Sequence, residues 1–369
     1  MSTPSPTLRT EIARMFMIGF PGPELDADAR ALLAEGVFGA ILFRRNVADA
    51  AQVATLCAAV KEAGRDGCVL AVDQEGGRVA RLRGTPFTSL PPMRNVVDEG
   101  EAERLGRLLA FELRSVGFDW DFAPVMDVDT NPQNPVIGDR AFSRDADRVA
   151  RLGVALARGL EAGGVGSCAK HFPGHGDTEQ DSHHTLPRLP HSMERLRQVE
   201  LVPFRAYAQA GLASVMTAHV LFDALEADTP ATMSQRALTQ ILRGELGFKG
   251  LVVSDDLEMK AVIDHYPLEE AVVRGTLAGV DLFLICHRAD RQRAAIDALV
   301  KAVEDGRVPR ARIEESTQRL ESFAKRFARK ATPEELSRLG GAEHRGLALG
   351  LETRFAGRDP TEVGGKGSA

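Results

Sequence analysis

The sequence predicts a single-domain α/β fold, a (β/α)8 barrel of the TIM type. Three observations carry that prediction. Eight short apolar runs recur within the first 290 positions, segments of helical period separate them, and ionisable residues gather where several runs end. Alternating strands and helices imply a parallel sheet, and eight such units fit a closed barrel. A doubly wound open sheet is the alternative architecture.

The first run is MFMIGF (15–20), followed by DADARALLAEG, which places apolar residues at helical spacing and ends in glycine. VFGAILF (37–43) and CVLAVD (68–73) are the second and third runs. AERLGRLLAFELRSVG precedes the fourth, FDWDFAPV (118–125), and DRVARLGVALARGLEAGG precedes the fifth, VGSCAKH (165–171). Both intervening stretches have the helical period and a glycine stop. ASVMTAH (213–219), LVVSDD (251–256) and VDLFLIC (280–286) complete the set. No Pro/Gly/Ser-rich linker divides the chain. The expected organisation is a catalytic barrel with C-terminal helices over 1–350 and a polar, glycine-rich tail over 351–369.

The chain has 369 residues, is 44% hydrophobic and carries a net charge of −6. That size supports a large core, and the acidic balance argues against a nucleic-acid partner. No run approaches the roughly 18 apolar residues of a membrane span. The opening MSTPSPTLRT has no signal-peptide-like apolar stretch, so a cytoplasmic monomer without a membrane partner is expected. Cys57, Cys68, Cys168 and Cys286 are scattered singly and read as buried thiols, not as a disulfide frame or a zinc site.

Barrel enzymes place their chemistry at the C-terminal ends of the strands. Here the third run ends in Asp73, the fifth in Lys170-His171, the sixth in His219 and the seventh in Asp255-Asp256. Buried charges need partners, so such clustering is poorly explained as core filling. Of the two adjacent aspartates, strand alternation should turn only one toward the mouth.

The stretch KHFPGHGDTEQDSHHTLP (170–187) holds four of the nine histidines. His171, His175, Asp177, Asp181, His183 and His184 are candidate zinc ligands. Alternatively, Asp181 and His183 lie two apart in an extended segment and share a side. The carboxylate can then orient the imidazole and stabilise its cation for proton transfer. A solvated polar loop is the third reading.

VDQEGGRVAR, NPVIGDRAF, AKHFPGHGDTEQDSHHTLP, TAHV and VVSDDLEM occur in that order. Together they resemble the glycoside hydrolase family 3 β-N-acetylglucosaminidases, and more narrowly the single-domain bacterial cytoplasmic enzymes of peptidoglycan recycling. The resemblance covers roughly residues 10–330. It implies Asp255 as nucleophile, His183 as acid/base and Asp181 as its dyad partner. It further implies that Asp73, Arg81, Arg140, Lys170 and His171 hold a terminal N-acetylglucosamine. No cofactor and no metal are implied, and the partner is a small-molecule substrate, a muropeptide or other N-acetylglucosaminide.

The chemistry so implied is retaining hydrolysis through a glycosyl-Asp255 ester. A histidine replaces the usual carboxylic acid, which is reasonable because an imidazole exchanges protons near neutral pH. His219 is expected to pack under the site, and Asp127 and Asp129 to brace the loop after the fourth strand. Gly174 and Gly176 suggest a loop that closes over the sugar. Trp120, the single tryptophan, gives no wide aromatic platform, so a small exo-acting pocket fits. The competing readings are a phosphorylase using the same site, a metal-dependent barrel hydrolase and a non-catalytic sugar-binding barrel.

Overall fold

The computed structural model describes residues 7–179 and 186–352. All eight apolar runs contain strands: β1 (Phe16–Ile18), β2 (Gly39–Leu42), β3 (Val69–Val72), β4 (Trp120–Asp121), β5 (Cys168–Phe172), β6 (Ser214–Thr217), β7 (Leu251–Asp256) and β8 (Leu282–Ile285). They form one parallel sheet in the order β4-β3-β2-β1-β8-β7-β6-β5. Parallel bridges Trp120–Gly166 and Val125–Lys170 join its two edges. The barrel is therefore closed, and backbone hydrogen bonds cross the seam from Asp121 N to Gly166 O (2.9 Å), Cys168 N to Ala123 O (2.8 Å) and Lys170 N to Pro124 O (3.1 Å).

Aspartates start four of the surrounding helices. Asp26, Asp49, Asp98 and Asp145 each accept from a backbone N–H in the first turn, at 2.7–2.9 Å. The helices Glu99–Val116 and Ala146–Ala162, which precede and follow β4, pack on each other at backbone contact. A Cβ on Gly106 would sit 2.2 Å from the Leu156 carbonyl, and one on Gly159 would sit 2.2 Å from that of Glu103. Only glycine permits that approach.

The N-terminal end of the barrel is closed by packing and by braced charge. Phe323, on the helix Arg310–Phe327, packs 4.5 Å from Trp120 and 6.2 Å from Phe38. Trp120 is fully buried and donates to Ser214 at 2.9 Å. Asp119 accepts from Arg114 (2.7 Å), Lys61 and the Leu70 N–H (2.9 Å), and Asp281 is held by Arg243, Arg312 and Arg319. These partners stabilise the buried carboxylates, so this end carries structure and the opposite end is left for chemistry. All four cysteines are buried free thiols. Among the described residues no helix is long and apolar enough to cross a membrane.

Candidate active site

A cavity of 650 Å³ opens at the C-terminal ends of the strands. Asp73, Arg81, Arg140, Lys170, His171 and Asp255 all line it. Those are the six expected site residues that fall among the described positions. Asp181 and His183 lie outside them.

Local register explains how two pairs of neighbours reach the mouth. The β7–β8 ladder slips between Val253 and Asp256, and Asp255 and Asp256 both border the cavity. The β5–β6 ladder slips between Ala169 and Phe172, where the Lys170–His171 peptide is cis, and both of those residues border it too. The expectation that alternation turns only one aspartate to the mouth is thus corrected, because an irregular ladder suspends alternation. The two aspartates still differ. Asp256 accepts from Glu258 N (3.0 Å) and Cys286 N (3.2 Å) and lies 3.3 Å from His287 Nε2, which commits it to holding the loops after β7 and β8. Asp255 accepts from the Asp256 N–H at 2.8 Å.

A buried charge network forms the floor beside β3. Lys170 Nζ donates to Asp73 (2.7 Å) and lies 2.6 Å from Glu75, while Arg81 donates to Asp73 at 3.1 Å. Arg140 grips Glu75 with two hydrogen bonds of 2.8 and 2.9 Å. Burial alone would raise both carboxyls, but the ammonium and guanidinium groups override it and hold Asp73 and Glu75 below the usual carboxylate range. The reciprocal attraction outweighs burial on Lys170 and Arg140 and raises their pKa values. Arg81 and Arg140 are 1% and 3% exposed, so neither is a surface charge.

The hairpin Gln74–Gly76/Val79–Ala80 delivers Glu75 and Arg81 to this network. The Gln74 side chain closes it by accepting from Arg81 N (2.8 Å) and Leu82 N (3.0 Å). Glu75 is absent from the sequence-derived set. Its signal was available: Asp73 alone cannot balance Lys170, Arg81 and Arg140, so a second buried carboxylate is required.

Asp127 organises the other wall. It accepts from His171 Nδ1 at 2.7 Å, from His171 N at 3.1 Å and from His175 N at 2.7 Å. It thus anchors the loop after β4, on which it sits, to the end of β5 and the loop that follows. Burial would raise its carboxyl, and the His171 imidazole reverses that and lowers it. Asp129 does brace the loop after β4, accepting from Arg94 at 2.6 Å and from Arg144 at 3.4 Å. His219 lies buried beneath the site. Its Nε2–H donates to the Asp256 carbonyl (3.1 Å) and its Nδ1 meets Thr232 Oγ1 (2.8 Å), a neutral ring whose pKa burial lowers.

Gly174 and Gly176 act by close packing in the described part of their loop. A Cβ at Gly176 would lie 1.9 Å from the Val128 carbonyl, and Gly174, at φ 144°, packs on Glu200. Asn134 ties this segment to the loop after β4 by donating to the His175 carbonyl at 2.9 Å. His175, buried beside Thr178 (2.9 Å), has its pKa pushed down to about 4, by burial first and then by the His171 charge. Among the described residues no three His, Cys, Asp or Glu side chains are grouped to hold a metal ion.

The site can do two things chemically. Buried, ionised donors and acceptors can bind a polyhydroxylated ring, and Asp255 can present a carboxylate to it.

Residues 7–323 match the model of the glycosyl hydrolase family 3 N-terminal domain. The chain is 41% identical over 295 residues to a β-hexosaminidase of Neisseria meningitidis serogroup C, covering 77% of this chain and 79% of that protein. A family 3 β-N-acetylglucosaminidase from a Paenibacillus species has a similar structure (TM-score 0.83, 41% identity). The match covers 96% of this chain and 65% of that longer protein, just under two thirds. NagZ from Neisseria gonorrhoeae, solved with N-trifluoroacetyl-D-glucosamine, is also similar (TM-score 0.70, 36% identity), over 84% of this chain and 98% of that one.

Proposed function

We propose that this chain, which belongs to glycosyl hydrolase family 3 and is a β-hexosaminidase, is a retaining exo-β-N-acetylglucosaminidase acting on cell-wall muropeptides. Terminal N-acetylglucosamine is released from GlcNAc-β-1,4-anhydroMurNAc, with or without its peptide. The single observation that carries this reading is the convergence of Asp73, Arg81, Arg140, Lys170 and His171 with Asp255 on one cavity. N-trifluoroacetyl-D-glucosamine in the similar gonococcal structure supports the choice of sugar.

In this mechanism Asp73, Arg81, Arg140, Lys170 and His171 bind the sugar hydroxyls. Asp255 attacks the anomeric carbon while His183, oriented by Asp181, protonates the departing oxygen. The glycosyl-Asp255 ester is then cleaved by water whose proton passes to His183, and configuration is retained. No cofactor takes part. The enzyme acts as a cytoplasmic monomer in peptidoglycan recycling, and four buried free thiols agree with a reducing compartment.

The test is incubation with GlcNAc-β-1,4-anhydroMurNAc, with and without phosphate, and identification of the sugar released. Free N-acetylglucosamine under both conditions is expected. N-acetylglucosamine 1-phosphate appearing only with phosphate would replace hydrolysis by phosphorolysis. No cleavage of this or any aryl N-acetyl-β-glucosaminide would overturn the reading.

A further inference from the structure

The cavity has two unlike halves. On the β3–β5 side each cation is matched by a carboxylate: Lys170 by Asp73 and Glu75, Arg81 by Asp73, Arg140 by Glu75. On the β2, β7 and β8 side, Arg44, Arg45 and Lys260 line the rim, and among the described residues none has a carboxylate oxygen within ion-pair distance. The acids nearest them are committed elsewhere. Asp256 accepts from Glu258 N and Cys286 N, and Glu258 accepts from His287 N (2.5 Å) and Arg288 N (3.3 Å) and pairs with Arg291 (3.3 Å). Arg288 is paired with Asp290.

The two arginines are oriented by carbonyls and an aromatic ring, and the Asp256 and Glu258 carboxylates act on Arg45 only from beyond ion-pair distance. Arg45 donates to the Phe20 carbonyl (3.0 Å) and the Cys286 carbonyl (2.6 Å), and its guanidinium lies 4.4 Å from the centre of the Phe43 ring. Arg44 donates to the Val47 carbonyl at 2.5 Å. Phe43 also stacks on His287 at 6.0 Å, so the rim is one continuous surface across β2 and β8. Pre-oriented guanidinium forks with unpaired charge suit a carboxylate, because little side-chain freedom remains to be lost on binding.

In the proposed reaction the sugar lies over β3–β5 with its anomeric carbon at Asp255, which would direct the group attached to that carbon toward this rim. We infer that Arg44 and Arg45, assisted by Lys260, form a leaving-group subsite that selects aglycones bearing a carboxylate, such as a lactyl ether or a peptide terminus. The inference rests on the proposed reaction for its placement.

The test compares GlcNAc-β-1,4-anhydroMurNAc with the same disaccharide whose lactyl carboxylate is converted to a carboxamide. Binding to Asp255→Asn protein is read by calorimetry, and kcat/KM is read on the wild type. The carboxylate form should be preferred by about 10-fold at low salt, shrinking as ionic strength rises. The double substitution Arg44→Gln/Arg45→Gln should erase the preference, bringing the acid-to-amide ratio to within about 2-fold of unity in both binding and kcat/KM. Equal binding of acid and amide by Asp255→Asn protein, or a preference that survives the double substitution, would overturn the subsite. Because binding is read separately, a wild type that turned over neither disaccharide would sink the proposed reaction and still report on the rim.

Discussion

Asp127 holds His171 from two directions, at 2.7 Å through the imidazole Nδ1 and at 3.1 Å through the backbone N–H. The ionised carboxylate makes Nδ1 the protonated nitrogen and leaves Nε2 for the cavity side. Asp127→Asn should therefore act through His171. We expect kcat/KM on an aryl N-acetyl-β-glucosaminide to fall about 10²-fold in Asp127→Asn and in His171→Ala, with little further loss in the double variant. Losses that multiply would show that Asp127 serves the fold and not the imidazole.

Asp255→Ala should abolish turnover of every substrate, activated or not. Asp256→Ala leaves the Glu258 and Cys286 N–H groups without their acceptor, at a cost of about 1–3 kcal/mol. It should lower Tm by several degrees yet keep more activity than Asp255→Ala. An Asp256→Ala protein that folds normally and is fully inactive would reverse the assignment of the nucleophile.

His175 sets an acid limit on stability. Its pKa is about 4 in the folded chain against 6.5 for a free imidazole. Between those values the unfolded chain binds a proton that the folded chain refuses, so stability falls as pH drops from 6.5 to 4. The full difference is about 3 kcal/mol. His175→Gln should lose less Tm than the wild type between pH 7 and pH 4.5, as measured by calorimetry. Parallel pH profiles for the two proteins would refute this.

His183→Ala should damage the natural disaccharide far more than an aryl glycoside, since a nitrophenolate leaves without a proton and general acid catalysis is worth about 10²–10⁴-fold. With the aryl substrate the slow step should become cleavage of the glycosyl ester. Azide, which needs no base, should then accelerate turnover and yield a β-glycosyl azide. Asp181→Ala should behave in the same way, more mildly. Equal losses on both substrates without azide rescue would limit His183 to binding.

The strands were legible because barrel strands are buried on both faces and read as continuous apolar runs. Their ends were less so. FDWDFAPV looks like one long strand, yet only Trp120–Asp121 has strand pairing with β3, and the rest meets β5 through hydrogen bonds to the Ala123 and Pro124 carbonyls beside the cis Ala123–Pro124 peptide. The six described site residues stood at run ends or within recognisable motifs. Glu75 was missed, and Asp127 was singled out without its partner His171, because those partners lie 65 and 44 positions away. The rim arginines were equally silent. Nothing in VFGAILFRRN tells that Arg44 and Arg45 would have, among the described residues, no carboxylate within ion-pair distance. The glycines of the β5 loop suggested motion by composition, whereas Gly176 lies where any side chain would strike the Val128 backbone.

The slipped ladder at the end of β7 makes Asp255 and Asp256 mouth residues that share one peptide unit. Reactive group and anchor are thereby mechanically inseparable. The Asp256 carboxylate holds the β8 loop through Cys286 N, and the Asp256 N–H holds the Asp255 carboxylate. On the proposed assignment of Asp255 as nucleophile, the loops after β7 and β8 would set its distance from the sugar. A change in either loop that never touches the substrate can retune the reaction through a single shared amide.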